Sequence, residues 1–254
     1  MLEAINETTS YIKQQINLQP ETAIILGTGL GGVADAIEVH KEIPYSEIPN
    51  FPVSTVKGHD GKLIVGVYSG KEVYALKGRF HFYEGYTMEE VTFPIRVLKF
   101  LGVKNLIISN AAGGMNPDFE IGDIMFINDH ICLMPNPLIG KHIPEFGERF
   151  PDMSEIYEKD WIDLARASAD RLSLRTHVGC YIGVTGPTLE TRKEYEYFRI
   201  IGGDTVGMST VPEAIVAHQM EIKIFALSVV TDLGVPGRIS EKQGDHSFCG
   251  SLHS

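Results

Sequence analysis

The chain has 254 residues, of which 43% are hydrophobic and 22% charged, and its formal net charge is −11. This length allows one domain or two. The acidic balance argues against a nucleic-acid partner, since phosphate backbones require clustered Lys and Arg. There is neither a positively charged leader before an apolar stretch nor an apolar run long enough to cross a bilayer, which predicts a cytoplasmic protein with no membrane partner. The three cysteines are far apart without metal-ligand spacing, so neither a disulfide framework nor a metal site is expected at Cys132, Cys180 and Cys249.

The first predicted elements are a helix, a strand and a glycine-rich loop. Apolar residues at helical spacing predict an amphipathic helix over residues 2–17, and Thr22–Leu26 reads as a short strand. The segment that follows, GTGLGG at 27–32, satisfies G-x-G-x-x-G. A dinucleotide site is one interpretation of this loop. The next strand-like stretch, around residues 36–43, leaves no room for a crossover helix, which favours a loop whose amides and Thr28 hydroxyl bind a small anion.

A predicted hairpin comes next, flanked by two loops that carry chemistry. Its strands comprise residues 62–68 and 71–76, with Ser69-Gly70 between them. The loop before it carries His59. In the loop after it, Arg79, His81 and Tyr83 alternate, so an extended backbone would place them on one face. Arg is a forked donor for phosphate, His a donor or proton carrier, and Tyr an aromatic face with a hydroxyl. The alternative is an ordinary surface loop of mixed composition.

The central predicted strand begins at Asn105, after a helix over residues 88–101, and is apolar enough to be buried on both faces. It runs into Ala111-Ala112-Gly113-Gly114, which we interpret as a bend at the strand end. Residues this small let a ligand approach the backbone. A tight turn that needs glycine for its dihedral angles is the competing interpretation.

The second half alternates strands and helices, which predicts an α/β fold with a mixed, largely parallel sheet covered by helices. The predicted strands are 122–133, 176–184, 204–207 and 222–231, and the predicted helices are 154–169, with Ser154 as N-cap, and 191–200. Residues 136–152 read as a long loop that is functional or contacts a partner. Thr210, Pro212 and Glu213 have the pattern of a capped helix start, and Ser209 stands just ahead of its free amides.

Polar residues at the predicted strand ends and in the flanking loops divide into two chemical sets. The donors suit an oxyanion and are Thr28, His59, Arg79, Ser209 and backbone amides. Two carboxyls, Glu190 and Asp232, suit the N–H groups of a heterocycle. Small backbone between the sets leaves space for a flat ring. This combination suggests an enzyme that handles phosphate together with a nucleoside.

Six segments resemble, in order and spacing, those of the trimeric purine nucleoside phosphorylases, and the resemblance extends to about Asp232. The segments are GTGLGG, VKGHDG, KGRFHFYEGY, SNAAGGMNP, GPTLETRKE and DTVGMSTVPE. The resemblance implies a single nucleoside phosphorylase domain over residues 1–254. It also implies reversible phosphorolysis of inosine, guanosine and their deoxy forms to a free purine and (deoxy)ribose 1-phosphate. Inorganic phosphate is then a co-substrate, and no cofactor or metal is needed.

The resemblance also assigns roles to individual residues. Phosphate is held by Thr28, His59, Arg79, His81, the amide of Ala111 and Ser209. The purine is bound by Ala112, Gly113, Glu190 and Asp232, and the ribose by Tyr83, Met208 and His246. Catalytic roles are implied for His81, Glu190 and Asp232. Phe146 corresponds to the aromatic residue that this family inserts into a neighbouring subunit's site, which implies a homotrimer.

Two features depart from the family's pattern. Asp232 stands where enzymes for 6-oxopurines often have Asn, whereas methylthioadenosine phosphorylases carry Asp near this position, so a 6-aminopurine substrate is the alternative. The tail from residue 237 is polar and short, and SFCGSLHS around His246 has no helical period. From about residue 240 we expect disorder and a weakened ribose site. A degenerate phosphorylase and a non-catalytic nucleotide-binding protein built on GTGLGG are further alternatives.

Overall fold

The computed structural model describes residues 1–27, 31–52 and 61–234. Its helices are α1 (Leu2–Gln15), α2 (Gly32–Asp35), α3 (Met88–Leu101), α4 (Lys159–Arg171), α5 (Arg192–Ile200) and α6 (Val211–Gln219). Its strands are β1 (Thr22–Leu26), β2 (Glu38–Pro44), β3 (Lys62–Tyr68), β4 (Lys71–Lys77), β5 (Asn105–Gly114), β6 (Ile124–Leu133), β7 (Thr176–Val184), β8 (Thr205–Gly207) and β9 (Lys223–Leu233).

The described strands belong to one mixed sheet with the order β2-β3-β4-β1-β5-β8-β7-β6-β9. β9 also pairs in parallel with β5 along most of its length. The strands β5, β8, β7, β6 and β9 therefore close into a ring, and β5 belongs both to this ring and to the open half of the sheet. The predicted α/β class with a mixed sheet flanked by helices is confirmed.

Both faces of β1 are buried, as expected for a parallel strand inside an α/β sheet. Ala23 and Ile25 join the main core, which includes residues of α1 and α3. Ile24 and Leu26 point the other way and pack in a second cluster with Ala34 of α2. Burying one such side chain stabilises the fold by about 1.5–3 kcal/mol, so the apolar alternation of this strand holds helices on both sides of the sheet.

Local sequence chemistry explains why α3 begins and ends where the sequence predicts. The Thr87 hydroxyl accepts from the Glu90 amide at 3.2 Å, and the Glu90 carboxylate accepts from the Thr87 amide at 2.7 Å. This reciprocal cap satisfies two amides that the first turn leaves unpaired. Gly102 ends the helix with φ of 105°, a value that favours glycine.

The predicted bend at Ala111–Gly114 is wrong, because β5 remains a strand through Gly114. β9 continues beside it as far as the pair Gly114 and Leu233, with a register shift between Ala112 and Gly113. The partner strand supplies backbone hydrogen bonds to a segment whose composition alone favoured a turn. The small residues therefore form a rigid floor instead of a loop.

The predicted start of α4 is also wrong. The helix begins at Lys159, not at Ser154, and its N-cap is Glu158. The preceding residues pair with β9 instead: Tyr157 bridges to Ile224, and the Glu158 amide donates to the Ile224 carbonyl at 2.9 Å. A tertiary strand contact thus overrides the local capping pattern at Ser154.

None of the helices within residues 1–27, 31–52 and 61–234 is long and apolar enough to cross a membrane. In the same ranges, no group of three or more His, Cys, Asp or Glu side chains is arranged to hold a metal ion.

Candidate active site

A gap in strand pairing along one edge of β5 defines the site. β1 pairs with Asn105–Ile108, and β8 pairs with Gly113 and Gly114. Between them, residues 109–112 have no strand on this edge in the described part of the sheet. β1 runs parallel to β5 and β8 runs antiparallel, so the gap lies where the direction of the neighbouring strand reverses. Ligands of open α/β sheets bind at comparable switch points.

Arg79, which follows β4, fills part of this gap. Its Nε donates to Glu213 Oε1 at 2.9 Å, and its Nη1 donates to the Ser109 carbonyl at 3.1 Å and to Ser209 Oγ at 3.2 Å. The Arg79 and Glu213 side chains are each 5% exposed. Nη2 is buried and donates to no partner within the described part of the chain. A buried charged donor of this kind is suited to an anion, because leaving it unpaired is costly.

The Ala111 amide points into the same gap. In a strand, the N–H and C=O of one residue point to one side, and the side alternates along the chain. Because the Ser109 carbonyl reaches Arg79 in the gap, the amide two residues later faces the gap as well. The predicted phosphate ligands Thr28 and His59 lie outside the described residues.

Ser209 is presented by a strained turn at the start of α6. Thr210 has φ of 67° and ψ of −53°, and the Val211 amide donates to the Ser209 carbonyl at 2.7 Å. This is a γ-turn with positive φ, which is rare and costs about 1–3 kcal/mol for a non-glycine residue. The turn is held by Asn110 Nδ2, which donates to Thr210 Oγ1 at 2.9 Å, and by the Glu213 carboxylate on the Thr210 amide.

His81 is held on Glu84 through both its backbone amide and its ring. Glu84 Oε1 accepts from the His81 amide at 2.9 Å and lies 3.0 Å from Nδ1. A carboxylate only accepts, so Nδ1 carries the proton and Nε2 is left as an acceptor. Burial lowers the pKa of His81, and the charge of Arg79 lowers it further. Tyr83 stacks on the ring with centroids 4.8 Å apart, although residues 82–84 form a 3-10 helix and not the extended backbone that would place these side chains on one face.

At the other end of the gap, β5 meets Asp232, and Glu190 lies near enough for the charge of Asp232 to affect it. Gly113 pairs with Asp232 in register, and a Cβ at Gly113 would lie 3.1 Å from Asp232 Oδ2. Glu190 belongs to the loop before α5, whose N-cap is Thr191. Burial raises the pKa of both carboxyls, and the charge of Asp232 raises that of Glu190 further. Both carboxyls therefore keep their protons to a higher pH than ordinary side chains of their type.

The two ends of the site are joined by β5 itself. From Ser109, which contacts Arg79, to Gly113, beside Asp232, the strand advances four residues, or about 13 Å. Between them, Ala111 and Ala112 carry no bulky side chain, and the Asn110 side chain is bound to Thr210. The arrangement therefore offers anion donors at one end, carboxyls at the other, and a flat surface between.

Three residues predicted to contact the ribose or a neighbouring subunit lie within the described residues: Tyr83, Met208 and Phe146. Tyr83 is 40% exposed beside His81, and Met208 packs so closely on Gly186 that a Cβ there would collide with its sulfur. Phe146 is buried in its own chain, with the Arg96 guanidinium 4.1 Å from its ring centroid. Its contribution to a neighbouring subunit therefore stays a prediction and would require the ring to leave this packing. His246 lies outside the described residues.

Sequence reasoning missed several residues that organise the site. Glu213 was interpreted only as a helix cap, and its contact with Arg79 joins residues 134 positions apart, for which no local pattern exists. Glu84 stands three residues after His81, which is the spacing of a capping contact. This spacing could have indicated from the sequence that Glu84 binds His81. Asn110 and Tyr181, whose hydroxyl accepts from the Ser209 amide at 3.4 Å, support the strained turn from other strands.

Comparison with known proteins identifies the family of the chain. The family model of the phosphorylase superfamily matches residues 21–248. Purine nucleoside phosphorylase 1 of Bacillus subtilis (strain 168) is 49% identical over 233 residues, which cover 91% of this chain and 86% of the relative.

Solved structures show the same relationship. A schistosoma purine nucleoside phosphorylase in complex with hypoxanthine matches with a TM-score of 0.91 and 40% identity over 97% of this chain and 89% of that one. A purine nucleoside phosphorylase in complex with ribose 1-phosphate matches with a TM-score of 0.89 and 42% identity over 92% and 88%. The chain therefore belongs to the phosphorylase superfamily and, within it, to the purine nucleoside phosphorylases.

Proposed function

We propose that the protein catalyses the reversible phosphorolysis of inosine, guanosine and their deoxy forms. Phosphate attacks the anomeric carbon while the glycosidic bond breaks, which yields a free purine and (deoxy)ribose 1-phosphate. The observation that carries the proposal is the buried Arg79 Nη2 at one end of the β5 gap and the Glu190 and Asp232 carboxyls at the other. One relative was solved with hypoxanthine and another with ribose 1-phosphate, which supports a base site at one end and a phosphate site at the other.

The phosphate end supplies donors in fixed positions. Arg79 Nη2, the Ser209 hydroxyl and the Ala111 amide converge on one gap, and Arg79 is locked by three hydrogen bonds. Phosphate held there below the sugar stabilises the positive charge that develops on the ribose as the bond breaks. Donors that are already oriented need no rearrangement in the transition state, which makes them effective. His81 Nε2 is positioned as an acceptor for a phosphate or ribose hydroxyl.

The base end supplies one acceptor and one donor. In its ionised form Glu190 accepts from N1–H of a 6-oxopurine, and in its protonated form Asp232 donates to N7. Donation to N7 offsets the negative charge that builds on the departing base. A carboxylate at position 232 would only accept, so the raised pKa of Asp232 is what makes Asp at this position compatible with 6-oxopurines.

A 6-aminopurine nucleoside is the second candidate substrate, and Asp232 is the observation that favours it. An ionised Asp232 can accept from a 6-amino group, which an Asn side chain does through its carbonyl only. A non-catalytic nucleotide-binding protein is disfavoured by the family of the chain.

The proposal is tested by following release of free base from inosine, guanosine and adenosine, each with and without inorganic phosphate. We expect phosphate-dependent release from inosine and guanosine. A preference for adenosine would transfer the assignment to 6-aminopurines. Absence of release from all three by the folded protein would refute phosphorolysis and would favour a degenerate phosphorylase.

The substitution Asp232→Asn tests the proton on Asp232. Because burial raises its pKa, wild-type Asp232 donates below that pKa and loses the proton as pH rises through it, so kcat/KM for inosine should fall on the alkaline side. Asn donates at every pH. The variant should lack this alkaline decrease. At pH values above the pKa of Asp232, its kcat/KM should be roughly tenfold higher than that of wild type, which is the effect of one hydrogen bond. An identical pH profile in both proteins would show that another group controls the alkaline limb.

The remaining features of the proposal come from the resemblance. We infer one nucleoside phosphorylase domain over residues 1–254, a homotrimer to which Phe146 contributes, and a cytoplasmic location. Inorganic phosphate is the co-substrate, and neither a metal nor an organic cofactor takes part. Sedimentation of the purified protein against the 28.1 kDa mass of one chain measures the subunit number directly.

A further inference from the structure

The buried carboxylate of Glu213 makes two contacts, one through each of its oxygens. Oε1 accepts from Arg79 Nε at 2.9 Å, and Oε2 accepts from the Thr210 amide at 2.9 Å. The side chain is nearly inaccessible to solvent. Its two oxygens therefore connect the guanidinium at the phosphate end of the site to the turn that presents Ser209.

The contact with Arg79 uses one nitrogen of the guanidinium, Nε. A bidentate pair would occupy Nε and Nη2 of the guanidinium together. Here Glu213 takes Nε only, while Nη1 is divided between the Ser109 carbonyl and Ser209 Oγ. The orientation of the guanidinium is thus fixed, and Nη2 remains as the donor without a partner among the described residues.

The contact with Thr210 restrains a conformation that the chain would not adopt by itself. Thr210 is β-branched and has a positive φ, a combination that persists only where surrounding contacts over-determine it. The Glu213 carboxylate binds the amide of this residue, and Asn110 binds its hydroxyl. Ser209 Oγ lies one residue earlier, 3.2 Å from Arg79 Nη1.

We propose that Glu213 is a positioning residue for phosphate: its carboxylate aligns Arg79 and the Ser209 turn with each other before phosphate binds. The inference rests on the proposed function, because it takes phosphate as the anion at Arg79 and Ser209. It makes a prediction opposite in sign to simple electrostatics. Removing a negative charge beside an anion site should tighten phosphate binding if charge dominates, and should weaken it if alignment dominates.

The test is the variant Glu213→Gln, which keeps the size of the side chain and one acceptor oxygen. That oxygen can serve Thr210 or Arg79 but not both, because the other terminal atom becomes a donor. We expect the KM for phosphate to rise about tenfold or more, with the KM for inosine unchanged within twofold. Calorimetric titration with inorganic phosphate should show a matching loss of affinity. Glu213→Asp, which keeps the charge but is shorter, should also bind phosphate more weakly.

Glu90→Gln is the matched control, because Glu90 occupies the same capping position in α3 at an exposed site without an arginine partner in the described chain. It should leave both KM values unchanged. Unchanged or tighter phosphate binding by folded Glu213→Gln would overturn the inference, and Glu213→Asp decides the matter if the Gln variant does not fold. Wild-type protein that binds phosphate but releases no base would refute phosphorolysis alone. Wild-type protein that binds no phosphate would refute both proposals.

Discussion

Replacing Arg79 by methionine is expected to lower kcat/KM for phosphate by about 100- to 1,000-fold, the usual effect of removing one oriented charge-stabilising donor. The guanidinium holds Nη2 ready for the anion and also contacts Ser209 Oγ at 3.2 Å. Methionine fills much of the same volume but donates no hydrogen bond. The measurement is steady-state base release from inosine at varied phosphate. A loss below tenfold would show that Arg79 is not a principal phosphate ligand.

The same substitution is expected to destabilise the fold. It leaves Glu213 as a buried carboxylate without its cation, and breaking a buried ion pair in this way costs about 3–5 kcal/mol. Unfolding could then be mistaken for a catalytic defect. The double variant Arg79→Met/Glu213→Gln removes the stranded charge while its amide oxygen still accepts from the Thr210 amide. Its free energy of unfolding should recover much of the loss, and its activity should remain low, which separates the two effects.

Replacing Glu190 by glutamine is expected to lower kcat/KM for inosine by about 10- to 100-fold, the range for losing a hydrogen bond to a charged group. The wild-type carboxylate accepts from N1–H of a 6-oxopurine. Glutamine also presents a donor, which suits the unprotonated N1 of adenine. The ratio of kcat/KM for adenosine to that for inosine should therefore rise in the variant. An unchanged ratio would show that Glu190 does not contact the base at N1.

The pH profile gives an independent check on Glu190. Burial, followed by the charge of Asp232, raises its pKa above that of an ordinary glutamate. Ionised Glu190 is a stronger acceptor than the protonated carboxyl, so inosine activity should decrease as pH falls through this raised pKa, and the Gln variant should lack that acid limb. Glu196→Gln on the helix that follows, α5, is a control. Its exposed contact with Lys193 contributes little, so both the rate and the profile should match wild type.

Much of the local structure followed from patterns of a few residues. The bounds of β1, β3, α3 and β7 agree with the sequence prediction, because apolar alternation, capping residues and glycine stops act over short distances. The chemical division of the site into phosphate donors and carboxyls was likewise evident from residue types. The family resemblance assigned Arg79, Ser209, Glu190 and Asp232 to these sets, and in the structure Arg79 and Asp232 contact β5 while Ser209 contacts Arg79.

Other features depended on residues far apart in the chain. β5 continues through Ala111–Gly114 because β9, more than 100 residues later, pairs with it. Residues 157 and 158 join β9 and delay the start of α4, although Ser154 has the composition of a cap. In both places, backbone hydrogen bonds from a distant strand outweigh a local preference of about 1 kcal/mol.

The sequence by itself determined which chemical groups this protein carries, its α/β class and most of its elements, because these depend on composition and short-range periodicity. Tertiary structure alone decided how the groups act together. The contact of Glu213 with Arg79 Nε, the positive φ of Thr210 and the raised pKa of Glu190 all arise from burial and from neighbours that no local pattern specifies. Orientation and protonation are properties of the assembled site, since each depends on groups that only folding brings together.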